Sequence, residues 1–187
     1  LDEPVNYDAW TNDDRQKITY RDLLQMNSGL VWDEVYNNVS TATKMIYNHA
    51  NMGQYAASQI AQYAPGEEWK YSSGTTNILT LLLAQHLGKE KYYAFAQQEL
   101  FNKIGITTAV VEPDASGHFV ASSYMWASAP DWARLGQLYL YQGHWFGEQI
   151  LDTTWIDFTR ELAPNTPRGE YGGHFWLNKG EPENSAN

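Results

Sequence analysis

The chain reads as an α+β protein, mostly helical, with a sheet that begins only near its C-terminal end. Three observations predict this. Residues 74–87, "GTTNILTLLLAQHL", are apolar nearly all round, the pattern of a buried helix. Capped and amphipathic segments recur on both sides of it, roughly seven helices in all. Strand character is concentrated at residues 171–178, "YGGHFWLN". A lone strand is not stable unpaired, so its sheet is completed by residues outside this chain, by a partner, or not at all.

Residues 1–17 read as a loop, broken by Pro4, Asn6, Asn12, Asp13 and Asp14. Thr19 is an N-cap with Asp22 three residues on, close to a capping box, and the helix it opens is expected to end at Gly29. Residues 39–48 and 52–63 follow as helices, and Pro65-Gly66 marks a turn. The helix at 74–87 should stop at Gly88. Residues 89–103 carry Tyr92, Phe95, Ala96 and Leu100 on one stripe. "ITTAVVEP" is β-branched and reads as a short extended segment. Ser128 caps a helix with Pro130 and Asp131 in its first turn, closed by Gly143. Asp152 caps another through Arg160, and a polar tail ends the chain.

Composition narrows the function classes. Twelve basic against 22 acidic residues give a net charge of −10, with no basic cluster, so no nucleic-acid partner is expected. The absence of cysteine rules out disulfides, a thiol nucleophile and thiolate-bound zinc. No apolar run approaches the ~20 residues a membrane span needs. Eight Trp and 13 Tyr either fill a bulky core or wall a cleft.

The chemistry-bearing residues are sparse. His49, His86, His118, His144 and His174 are scattered, with no pair at the spacing of a metal site on one helix face. There is no G-x-S-x-G elbow and no phosphate loop. Neither metal nor organic cofactor is implied. What stands out is Trp69-Lys70-Tyr71-Ser72-Ser73-Gly74, an aromatic and hydroxyl-rich turn running into the apolar helix. It has two readings. In one, Ser73 caps the helix and Tyr71 packs on Trp69 or Trp32. In the other, Tyr71 and Ser73, two apart in an extended turn, face one cleft.

Four blocks, "ITYRDLLQMNSGL", "PGEEWKYSSGTTNILTLLLAQHLG", "ASAPDWARLGQLYLYQGHWFGEQIL" and "YGGHFWLN", occur in this order between residues 18 and 178. Together they resemble the serine β-lactamase-related family, in particular its class C β-lactamase-like esterases and aminohexanoate-oligomer hydrolases. The resemblance implies a β-lactamase/transpeptidase-like fold, with a helical subdomain at 18–162 and the start of a sheet subdomain at 168–187. Residues 1–187 then form one incomplete domain, which needs missing sheet segments of the same protein.

The resemblance also implies roles. Tyr71 matches the tyrosine of a Y-x-N or Y-x-S element, the general base of a Ser-x-x-Lys serine hydrolase, and Ser73 matches its third position. A phenol near pKa 10 is a weak base at neutral pH, and a lysine ammonium beside it favours the phenolate. Tyr36 lies where amide-hydrolysing relatives place a substrate-contacting tyrosine. Ser122, Ser123 and Tyr124 precede the "DWARLG" helix and are expected to line the same cleft. The implied substrate is a small ester or amide, cleaved through an acyl-enzyme, and the implied compartment is periplasmic or secreted.

The chain departs from the family pattern at the nucleophile. It holds no Ser-x-x-Lys; the nearest match is Thr41-Ala42-Thr43-Lys44, on the wrong side of the "SGL" helix. Nor is there a Lys-Thr-Gly, since Lys179-Gly180 has no hydroxyl residue between. The chain alone is therefore expected to be inactive. The alternative is a non-catalytic, aromatic-rich ligand-binding module.

Overall fold

A computed structural model describes residues 1–178. Two 3-10 turns, Asp8–Trp10 and Asp14–Lys17, open the chain. The helices are α1 (Tyr20–Leu24), α2 (Thr41–Asn48), α3 (Met52–Ala57), α4 (Ser73–Leu87), α5 (Lys89–Ala96), α6 (Asn102–Ile104), α7 (Ala129–Leu140) and α8 (Thr153–Arg160). A π-helical turn, Gln97–Phe101, joins α5 to α6. Strands β1 (Val110–Val111) and β2 (Met125–Trp126) pair antiparallel, as do β3 (His144–Trp145) and β4 (Glu148–Gln149).

Helix α4 is the centre of the fold, packed against α1, α2, α3 and α5. Its first half, from Ser73 to Ile78, is buried on all sides although mostly polar, while the apolar Leu79 and Leu83 further along are only partly buried. Ile78 and Leu82 join Val5, Trp10, Leu23, Trp32, Met45 and Met52 in the main core. Helix α3 can approach α4 this closely only because residue 53 is glycine. A Cβ there would lie 2.5 Å from the Asn77 carbonyl oxygen and 2.8 Å from the Leu81 Cβ. A second cluster gathers Phe101, Ile104, Ile106 and Leu138, and a third gathers Met26, Ala163 and Tyr171 beneath Trp69 and Tyr71.

The cap chemistry forms as the local residues dictate. Thr19 and Asp22 make a full capping box, Ser128 accepts from the Asp131 amide, and Asp152 caps α8. Gly88 ends α4 at φ +74°.

Several expectations need correction. Helix α1 stops at Leu24, not Gly29, with Met26 already at φ +63°. The backbone beyond it pairs with a distant segment instead: Lys70 N–H donates to Met26 O at 2.9 Å and Gly66 N–H to Asn27 O at 2.8 Å. Gly29 is needed for a different reason, since a Cβ there would sit 2.3 Å from Tyr63 O. The helix expected over 52–63 ends at Ala57, because residues 60–63 turn to bond the backbone at 29–31, with Val31 N–H to Ile60 O at 2.9 Å.

Helix α7 ends at Leu140, and Gly143 serves the following turn at φ +81°. Strands are not confined to the end, since two short hairpins lie between α6 and α8. Residues 171–177 do not form a strand. They fold back through a Tyr171–Trp176 bridge, with His174 at φ +60° in the bend. The polar tail and the Lys179-Gly180 pair lie outside the described residues.

Candidate active site

The site grows from the first turn of α4. Ser72 is extended and its hydroxyl accepts from Thr75 N at 3.2 Å, so Ser72 is the N-cap and Ser73 the first helical residue. This corrects the expectation that Ser73 caps. Ser73 is thereby released for other bonds. Gly74 follows, and its missing side chain makes room for Trp32, whose ring carbons lie 2.5 to 2.9 Å from where a Cβ would stand. The indole of Trp32 therefore rests on the helix start, buried, with its N–H aimed at Glu34.

Glu34 gathers the site. Its Oε2 accepts from the Trp32 indole N–H and, at 3.0 Å, from the Ser73 backbone N–H. Its Oε1 accepts from the Ser73 hydroxyl and, at 2.5 Å, from the Tyr36 hydroxyl. The two hydroxyl oxygens are 3.3 Å apart. Four donors on one carboxylate is close to its full capacity, and charged acceptors make the stronger hydrogen bonds. Burial, then the bond to Glu34, pushes the Tyr36 phenol up to about 12. Tyr36 therefore stays protonated across the physiological range. Sequence reading singled out Tyr36 and Ser73 but missed Glu34. The available signal was "WDEVY", where a carboxylate sits two residues from an aromatic on either side.

Tyr71 stands beside this cluster, half-buried, near enough to act electrostatically on both Tyr36 and Tyr171. Its ring packs on Trp176 at 5.2 Å and edge-on to Tyr171 at 5.8 Å. Trp69 meets the same two rings, at 6.2 and 5.6 Å. So Tyr71 packs on the 171–176 bend, on neither Trp69 nor Trp32. Its hydroxyl makes no hydrogen bond among the described residues.

The loop before α7 reaches the site through Ser122. Asn77, one turn along α4, donates to Ser122 Oγ at 2.9 Å and to Ser73 O at 2.9 Å. The Ser123 hydroxyl turns back to the Ser122 carbonyl at 2.7 Å, and Tyr124 is exposed at φ +62°. The structure thus joins Tyr36 and Ser73 directly, sets Tyr71 beside them, and leaves Ser123 and Tyr124 on the adjoining loop with no hydrogen bond to the three. Thr41 is spent on the Asp33 backbone, and Lys44 is exposed on α2.

His174 secures the bend under Tyr71. It lies 2.8 Å from Thr76 Oγ1 through Nε2, its Nδ1 is shielded and unpartnered among the described residues, and burial lowers it to about 4. Among the described residues no group of three or more His, Asp or Glu could hold a metal ion, and no helix is long and apolar enough to cross a membrane.

The family model described as Beta-lactamase matches residues 1–180. Solved structures share the fold. A Bacteroides dorei protein assigned as a beta-lactamase is similar at TM-score 0.74 and 19% identity, over 97% of this chain and 59% of its own. A Bacillus anthracis protein assigned as a 6-aminohexanoate-dimer hydrolase is similar at TM-score 0.74 and 21% identity, over 91% of this chain and 50% of its own. The D-amino acid amidase of Ochrobactrum anthropi, complexed with D-phenylalanine, follows at TM-score 0.66 and 18% identity, over 93% and 58%. The chain thus spans 50 to 59% of the length of these three. No curated protein matches.

Proposed function

The chain belongs to the beta-lactamase family, and from that premise we propose that it forms the general-base wall of a serine hydrolase cleaving a small ester or amide through an acyl-enzyme. The observation that carries this is the state of Tyr71. It is half-buried, held by Trp176 and Tyr171, and its hydroxyl is unspent on any described residue.

In the proposed reaction the Tyr71 phenolate takes the proton of a serine hydroxyl as that oxygen attacks the substrate carbonyl. The proton passes to the leaving alcohol or amine as the carbon–heteroatom bond breaks, leaving the acyl group on serine. A water molecule then hydrolyses the acyl-enzyme. The serine and the lysine that would lower the Tyr71 pKa belong to a Ser-x-x-Lys element that residues 1–187 do not contain. Ser73 fills the third position of the Y-x-S element beside Tyr71, and its hydroxyl donates to Glu34. The same family resemblance supports a periplasmic or secreted home, to be checked by fractionation.

Tyr71→Phe in the intact protein tests the reading. The ring and its packing stay, so folding should hardly change, while kcat should fall by about 10²–10⁴, the usual worth of a placed general base. Full activity in a folded variant would make Tyr71 a packing residue. It would leave the second reading, a ligand module, for which the observation is the ring cluster with Trp176 60% exposed.

A further inference from the structure

We propose that a cleft remote from Tyr71, between the end of α4, the start of α5 and the 114–118 loop, binds a short carboxylate that also carries an O–H or N–H group. His118 Nε2 takes the donor and the Lys89 ammonium takes the charge. The cleft encloses about 270 Å³ and is lined by Gln85, Lys89, Tyr92, Tyr93, Ser116 and His118, with Ala84 and Gly117. Helix α4 rises roughly 18 Å between Ser73 and Gln85, at about 1.5 Å per residue. The cleft is therefore separate from the candidate active site, and its ligand is independent of the acyl-transfer reading.

Asp114 sets the chemistry of this cleft by fixing where the protons lie. Its buried carboxylate accepts from the Met52 N–H at 2.9 Å through Oδ2, which ties the loop to the start of α3. Its Oδ1 accepts from the Ser116 and His118 amides at 3.0 and 2.9 Å and from the Ser116 hydroxyl at 2.7 Å. Burial opposes the charge, yet these bonds hold the Asp114 carboxyl below its usual range, so it has no proton to give. The Ser116 proton must lie between the two oxygens, because two acceptors at that distance would otherwise repel. The same Ser116 oxygen stands 2.8 Å from His118 Nδ1. A hydroxyl has one proton, so Ser116 can only accept there, and Nδ1 carries the hydrogen. A neutral imidazole has one N–H, which leaves Nε2 as a bare lone pair. Nε2 has no partner among the described residues and, unlike Nδ1 of His174, is not sealed from solvent.

Lys89 is exposed on the same cleft and makes no ion pair among the described residues. The Tyr93 hydroxyl donates to Gly117 O at 2.8 Å, so it does not compete for Nε2. A fixed acceptor and a cation select together. A plain carboxylate satisfies the lysine and sets a second acceptor against Nε2. A neutral alcohol satisfies Nε2 and leaves the lysine unpaired. An α-hydroxy or α-amino acid offers both groups at once.

Glycolate is the probe, titrated into the ¹⁵N-histidine-labelled protein at about pH 8, where an ordinary imidazole is neutral. Acetate and ethylene glycol are the controls. Long-range ¹H–¹⁵N spectra, with His118 assigned through His118→Gln, should show Nδ1 protonated and Nε2 bare before any ligand is added. Glycolate should then shift Nε2 saturably, with a Kd on the order of 1 mM, in keeping with so few atoms. Acetate and ethylene glycol should each bind about tenfold or more weakly, the worth of one charge-assisted hydrogen bond. Lys89→Met should weaken glycolate by a similar factor while leaving the free His118 signals in place. A protonated Nε2 in the free protein, no saturable shift with glycolate, acetate binding as well as glycolate, or full affinity in Lys89→Met would each overturn the proposal.

Discussion

Replacing Gly74 by alanine should unseat the Trp32 indole and, with it, the Glu34 carboxylate. The new Cβ would lie 2.5 Å from Cζ3, 2.7 Å from Cη2 and 2.9 Å from Cε3 of that ring. Carbon contacts become favourable only near about 3.5 Å, so the indole must move as a body. Trp32 is 3% exposed and has nowhere to go inside the core. Two effects oppose each other. Alanine in a helix gains up to about 1 kcal/mol over glycine, and less so near a helix end. Overpacking costs about 1–3 kcal/mol. Parting the indole N–H from a carboxylate costs about 1.5–3 kcal/mol more. The loss wins, by roughly 1.5–6 kcal/mol, and lowers Tm by roughly 3–24 °C in a chain of this size. Calorimetry gives the stability, and tryptophan fluorescence reports the ring's new environment. The same substitution in a Trp32→Leu background meets no ring and should be neutral or stabilising, which a double-mutant cycle measures. A Gly74→Ala protein as stable as wild type, or an equal cost in both backgrounds, would refute the reasoning.

Two further predictions follow from the packing around α4. His174 is neutral in the fold, lowered to about 4 by burial, against 6.5 in the unfolded chain. The unfolded state therefore binds the extra proton first. Stability should be flat above pH 6.5 and decline as pH falls toward about 4, by no more than about 3 kcal/mol. Urea midpoints against pH measure this, and His174→Gln should flatten that part of the curve; an unchanged slope sinks the assignment. Gly53→Ala should cost about 1–3 kcal/mol, because its Cβ would press on the Asn77 carbonyl and Leu81 and part α3 from α4. A urea melt no weaker than wild type would contradict that close approach.

Local chemistry made much of the fold legible. The Thr19–Asp22 box, the Ser128 and Asp152 caps and the Gly88 stop each depend on residues within a turn of one another. Their hydrogen bonds form whatever the rest of the chain does. The order of the four blocks carried the family, and hence attention to Tyr36, Tyr71 and Ser73. The errors fell where a backbone had a distant alternative. Residues after Leu24 continue a good helical pattern, yet their carbonyls and amides are claimed by residues 66–70 and Asp22. The run 171–177 is rich in strand formers, but it closes on itself, and its remaining backbone bonds go to scattered partners at Leu24, Thr159 and Ala163 rather than to one strand.

By itself, then, the sequence determined the central helix, its stop at Gly88 and the turn that delivers Tyr71, because periodicity and turn chemistry are short-range properties. Only the tertiary structure decided that Ser72 rather than Ser73 closes the helix start, and that Ser73 is thereby left for Glu34. It alone brought Glu34 across 39 residues to Ser73, since that meeting depends on a buried indole fitting over Gly74. A carboxylate's partners are chosen by how the chain packs, and no local pattern around "WDEVY" encodes where the α4 terminus will be.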